Sequence, residues 1–324
     1  MTRWTLRALG LDVVPALRPL TYPGRPATEP ALLTGPELLP LTPGAGPLGD
    51  WRPVGPDTPH GPDGPHGPDG PDGPDRPGRS SLDDALAALG RDPADRRHPV
   101  LAVGSNASPA QLAHKFATAG LSAAVPLVPV RVGGVAVGCS GHIGRHGYVA
   151  AAPYAAPGAR TTLVAGWLDG EQLTAVDATE FNYRRVLLPG DRFPVTLPSG
   201  ERLRGAYLYV SKWGVLTGPP AGGPHRPGGG DQSTLLATLL AGSARLRALL
   251  GPGPRDWVER AAADPEVRDE GTRILAEEGW VEREAGLPAH EPAGQGALTY
   301  GDLRERRPGG TGDAPGGAAR GVPL

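Results

Sequence analysis

Residues 100–111 read VLAVGSNASPAQ, and this stretch limits what the chain can build more than any other. Val100 to Val103 form an apolar run that predicts a buried strand, and Gly104, Ser105 and Asn106 predict a tight turn. Ser108 has an N-cap side chain, Pro109 suits the first helical position, and Gln111 completes an S-x-x-Q capping box. Strand, turn and helix in immediate succession commit the region to a mixed α+β domain. The turn also lies at a helix N-terminus, where backbone N–H groups lack intrahelical partners and carry partial positive charge. Gly104 to Asn106 can therefore cradle a carboxylate or phosphate. An ordinary strand-to-helix loop accounts for the same residues. No G-x-x-x-x-G-K-[ST] is present, and Lys115, the nearest lysine, falls a few turns into the helix rather than at its mouth.

The helix from Pro109 is expected to stop at Gly120. After it come four short valine-rich segments separated by Gly or Pro: Val125–Val132, Val135–Ser140, Tyr148–Ala152 and Thr162–Leu168. Their spacing predicts a mostly antiparallel sheet or small barrel. Asp169 can cap a helix through GEQLTAVDATE, on which Leu173, Val176 and Glu180 fall at i, i+3 and i+7. Glu180 thus puts a carboxylate on the stripe that should face the core. A desolvated carboxylate can act as base and then acid, although the same residue can instead pair with Arg184 or Arg185. Strands are expected at Tyr183–Leu188, Phe193–Leu197 and Leu203–Val210, the last with Tyr207 and Tyr209 on one face.

Glycine and proline, 50 and 40 residues respectively, gather outside this region and mark its borders. Residues 1–55 form a proline-rich segment with short apolar pieces. Residues 56–79 carry Gly-Pro-Asp and Gly-Pro-His triplets; these resemble collagen in spacing but are too few for a triple helix, and a disordered linker is expected. The domain proper spans 80–217, a flexible loop 218–230, a helical appendage 231–284 and a disordered tail 285–324. The net charge of −2 gives no electrostatic case for nucleic acid or an anionic membrane. No apolar run is long enough to span a bilayer, so a cytoplasmic protein is expected. The single cysteine, Cys139, excludes an intrachain disulfide or a Cys-rich metal site and reads as a small buried apolar residue. His142 and His146 lie in a glycine-rich hairpin expected to be solvated, and His60 and His66 in the triplet tract; neither pair is expected to hold a metal. No G-x-S-x-G elbow surrounds Ser105 to suggest a hydrolase.

The order strand, G-S-N turn, helix, valine-rich sheet, then V-D-A-T-E followed by a tyrosine and a basic strand, resembles the gamma-glutamylcyclotransferase-like superfamily over about residues 99–211. The resemblance implies a small, mostly antiparallel β-barrel with short helices. It also implies a cofactor-independent, metal-free enzyme that cyclises a small-molecule γ-glutamyl amide to 5-oxoproline. Val103, Gly104, Ser105 and Asn106 align with the family's substrate-binding Y-G-S-N turn, and Glu180 with its catalytic glutamate. Tyr183 and Tyr207 resemble family tyrosines near the substrate. Val103 replaces the family's tyrosine. The alternative is a non-catalytic small-molecule or partner-binding protein on the same scaffold.

Overall fold

A computed structural model of the protein describes residues 4–54, 80–218, 223–225, 228, 230–288 and 296–305. The linker expected at 56–79 lies outside the described residues, as do much of 218–230 and the chain beyond 305.

In chain order the elements are β1 (Ala31–Thr34), β2 (Glu37–Thr42), β3 (Arg52–Pro53), α1 (Leu82–Ala88), β4 (His98–Ala102), α2 (Pro109–Thr118), β5 (Val125–Ile143), β6 (Val149–Leu168), α3 (Gly170–Thr179), β7 (Tyr183–Pro189), β8 (Val195–Thr196), β9 (Arg202–Leu203), β10 (Gly205–Ser211), β11 (Val215–Leu216), α4 (Gln232–Gly242), α5 (Ala244–Leu250), α6 (Pro254–Ala263), α7 (Pro265–Glu277), β12 (Val281–Glu282) and α8 (Tyr300–Leu303). The sheet runs β3-β2-β1-β5-β6-β4-β10-β7, antiparallel throughout except for the parallel pair β4–β10. The barrel expected from the strand spacing does not close. Its path ends at β3 and β7, which do not pair, whereas a barrel needs its end strands hydrogen-bonded to each other.

Four expected strands are two. β5 and β6 form one long hairpin, Val135 pairing with Ala155 and Arg131 with Thr162, with a register shift at Gly133–Gly134. Gly134 adopts φ +76, so a glycine pair that reads as a turn acts as a β-bulge and bends the strand without ending it. The hairpin then turns through Gly147 at φ +83.

β10 shows how the two faces are filled. Ala206, Leu208 and Val210 pack with Trp167, Trp51 and α1, while Tyr207 and Tyr209 pack with Leu112 and Phe116 of α2 and Leu173 and Val176 of α3. Burying each of these large apolar side chains stabilises the fold by roughly 1.5–3 kcal/mol. The proline-rich head belongs to the sheet: β1 pairs with β5 through Leu32 and Pro126, and β2 with β1.

The tail expected to be disordered from 285 is anchored in part. Tyr300 is fully buried, its N–H donates to the Arg97 carbonyl, and its hydroxyl accepts from the Leu48 N–H at 3.0 Å. Helices α4 to α7 enclose their own apolar core with Ile143 and Val149 from the tip of the β5–β6 hairpin, held by Gln232 on both backbone groups of Val149. No helix among the described residues is long and apolar enough to cross a membrane.

Candidate functional site

β4 carries the chain into Val103 and Gly104, and residues 105–107 make one 3-10 turn before α2 begins at Pro109. The Ala107 and Ser108 amides close back onto the Gly104 and Ser105 carbonyls. The amides of Gly104, Ser105 and Asn106 find no backbone acceptor among the described residues. The expected capping box does not form. Gln111 Oε1 accepts from the Ala16 N–H at 3.0 Å, and Ser108 Oγ is buried without a partner, because the head of the chain crosses the helix start and takes Gln111 for itself.

At the other wall, α3 starts on the expected Asp169 cap, with Asp169 and Gln172 bonding reciprocally, and ends at Glu180. Glu180 Oε1 accepts from Asn106 Nδ2 at 3.0 Å and from Lys115 Nζ at 3.1 Å; Lys115 Nζ also donates to Asn106 Oδ1 at 2.8 Å. The three side chains close a triangle in which only 11% of Lys115 and 17% of Glu180 is exposed. Screening by water is weak at such burial, so the charges hold one another firmly. Neither arginine considered as a partner for Glu180 takes that place: Arg185 Nε binds Asp177 Oδ1 at 3.1 Å, which also accepts from Tyr209 Oη at 2.6 Å.

Glu180 and residues 103–106 line one cavity of about 450 Å³. Tyr183 lines it as well, its hydroxyl donating to the Ala151 carbonyl at 2.8 Å. Tyr207 does not. It is buried in the apolar layer beneath, its hydroxyl accepting from the Leu298 N–H at 2.6 Å and the Arg185 guanidinium 4.8 Å from its ring centre. The alternation along β10 gives Tyr207 and Tyr209 the same face, but only Tyr209 sits far enough along the strand to border the cavity.

Several cavity residues escape sequence reasoning. Tyr22, from the proline-rich head, accepts from the Ala151 N–H at 2.8 Å and stacks on Tyr148 with ring centres 4.2 Å apart. Its hydroxyl lies so close to Gly104 that a Cβ on that residue would come within 2.2 Å of it. Burial pushes the Tyr22, Tyr148 and Tyr183 phenols above the ordinary tyrosine range, so all three remain protonated near neutral pH. Lys115 had a legible signal: it is one of only two lysines among 32 basic residues, and it shares a helical face with Gln111 and Thr118.

His142 also corrects an expectation. It is not in a solvated loop but near the end of β5, 3% exposed, with Nδ1 2.6 Å from Ser140 Oγ, and burial lowers it to about 4. His146 is half-buried against Tyr148. Neither histidine bonds to Ser105, and no group of three or more potential metal ligands occurs among the described residues. No protein-family model, no curated protein and no solved structure matches this chain.

Proposed function

We propose that this chain is a gamma-glutamylcyclotransferase-like enzyme that closes a γ-glutamyl amide into 5-oxoproline and releases the amine. The observation that carries this reading is the shared cavity: the Glu180 carboxylate is one hydrogen bond from Asn106, the last residue of a turn whose amides lack backbone acceptors among the described residues. A substrate's α-carboxylate would sit on the Gly104–Asn106 amides. Its α-ammonium would give a proton to Glu180, and the freed amine would attack the γ-carbonyl of the same molecule. A five-membered lactam forms as the C–N bond to the leaving amine breaks; Glu180 returns its proton to that amine and relays to it the second proton that the attacking nitrogen sheds, so the amine leaves as its ammonium and the lactam nitrogen keeps one hydrogen. Holding amine and carbonyl together is worth effective molarities of about 10⁵ M or more, so the step needs no covalent enzyme intermediate. Lys115 keeps the carboxylate aimed at the cavity until the substrate's ammonium competes for it.

The test is incubation with a panel of γ-glutamyl amino acids and γ-glutamylamines, with 5-oxoproline read by mass spectrometry. Glu180→Gln, which keeps the shape and removes the titrating proton, should abolish turnover while the protein stays folded and still binds the compounds. Full activity in that variant refutes the assignment. The Lys115–Glu180 ion pair also favours a second reading, a non-catalytic pocket that binds an amino-acid-like zwitterion by exchanging partners with the pair. Saturable calorimetric binding with no 5-oxoproline selects it.

A further inference from the structure

His142 in the cavity wall heads a second polar cluster that the proposed mechanism leaves idle. Ser211 Oγ accepts from the Trp213 N–H at 3.0 Å and lies 2.7 Å from Ser140 Oγ, which lies 2.6 Å from His142 Nδ1. All three side chains are buried, Ser140 completely. The Trp213 indole stacks over the imidazole with ring centres 6.0 Å apart, and the edge of Tyr183 meets it from another side, so the ring is fixed in place. His142 borders the cavity, and its Nε2 has no partner among the described residues.

Counting donors along Ser211, Ser140 and His142 gives one self-consistent direction for the protons. Ser211 already accepts from Trp213, so its own proton needs an acceptor, and Ser140 Oγ is the one within reach. Ser140 then donates to His142 Nδ1, which leaves the imidazole hydrogen on Nε2. Burial opposes a second proton on the ring. The result is a neutral ring with its hydrogen on Nε2, carried by a residue that lines the same cavity as Glu180 and Asn106.

We infer that His142, locked by Ser140 and Ser211 as the neutral Nε2–H tautomer, donates a hydrogen bond to the acyl oxygen of the bound substrate. This rests on the acyl-transfer reading given above. In it the amine's attack moves the γ-carbonyl electrons onto oxygen, and a preorganised donor there strengthens as charge develops. When the C–N bond to the leaving amine breaks, the electrons return and the donor keeps its proton. His142 touches substrate; Ser140 is a positioning residue, acting through the ring. Ser140 also neighbours the Tyr183 phenol, and a proton diverted there would put the ring hydrogen on Nδ1 instead, so the tautomer is what an experiment must read.

Nitrogen NMR of the ¹⁵N-histidine-labelled full chain, with the His142 signals assigned by their loss in His142→Gln, should show hydrogen on Nε2 in the parent. Ser140→Ala should release the lock and give a mixture of tautomers. In turnover of whichever γ-glutamyl compound the parent cyclises, His142→Leu should lower kcat about 100-fold, the cost of one oxyanion donor, with KM within about threefold. His142→Gln, whose side-chain amide can replace the lost N–H, should recover about tenfold of that. A parent ring protonated on Nδ1 overturns the inference whatever the kinetics. His142→Leu turning over at the parental rate overturns it while leaving Glu180 in place. If the parent cyclises no compound, the acyl-oxygen role falls with the enzyme reading, and the NMR result shows that the fault lies with the reaction rather than the tautomer.

Discussion

Gly104→Ala tests whether the head of the chain really forms one wall of the cavity. The backbone there, at φ −130, lies outside the left-handed region, so the chief obstacle is contact. A Cβ at 104 would lie 2.2 Å from Tyr22 Oη and 3.3 Å from Tyr22 Cζ. The phenol has to move, and as it moves the Ala151 N–H loses the hydroxyl that accepts from it at 2.8 Å. Overpacking costs about 1–3 kcal/mol and the orphaned buried N–H about 1–3 kcal/mol, so the substitution should destabilise by roughly 2–6 kcal/mol. Tyr22→Phe alone should cost about 1–3 kcal/mol, because it leaves the same N–H without an acceptor while removing the atom that the new methyl group strikes. Urea unfolding of the parent, both single variants and the double variant closes a cycle. The double variant should cost little more than Tyr22→Phe alone, so it should be roughly 2–6 kcal/mol more stable than the sum of the single changes requires. Additivity within about 0.5 kcal/mol would refute the contact, and so would a Gly104→Ala protein as stable as the parent.

Arg97 is fully buried and donates to the carbonyls of Asp92, Ala124 and Trp167 and to Gln172 Oε1. Arg97→Met should cost about 3–5 kcal/mol in thermal unfolding, and Arg97→Lys should not restore it, since an ammonium cannot span that planar set of acceptors. Tyr300→Phe leaves the Leu48 N–H and Glu201 Oε2 without the hydroxyl between them and should cost about 1–3 kcal/mol by urea unfolding; an unchanged midpoint would mean the tail anchor adds nothing to stability. His142 is lowered from 6.5 to about 4, so the unfolded chain binds its proton first as pH falls. Its contribution to stability is complete above about pH 6.5 and is lost as pH drops through about 4, roughly 3 kcal/mol in all. The difference in unfolding free energy between parent and His142→Gln across that window should carry this slope, and a flat difference would show that the ring is not desolvated.

What the sequence made legible was local. The strand into Gly104, the Asp169 cap and the end of α2 near Gly120 each depend on residues within one turn of each other, and each lies where its pattern puts it. Glu180 was found because a charge interrupts an apolar stripe. Failures came where the partner is far along the chain. Gln111 serves Ala16 rather than its own cap across 95 residues, and Tyr22 meets Ala151 across 129. Tyr300 reaches Leu48 across 252, so a Gly- and Pro-rich tail that looked unstructured holds a buried anchor. The Gly133–Gly134 pair failed differently: glycine permits both a turn and a bulge, and the pairing partner on β6 decides between them.

The scarcity of lysine has a practical consequence. Lys115 and Lys212 are the only lysines in the chain, and one stands inside the cavity while the other is exposed, with its ammonium on the Phe181 carbonyl. An amine-selective acylating reagent therefore reports occupancy without a known reaction. A compound that seats against Glu180 should slow labelling of Lys115, with Lys212 in the same molecule serving as the internal clock. Peptide mass mapping of the two sites would turn a metabolite library into a ranked set of candidate ligands.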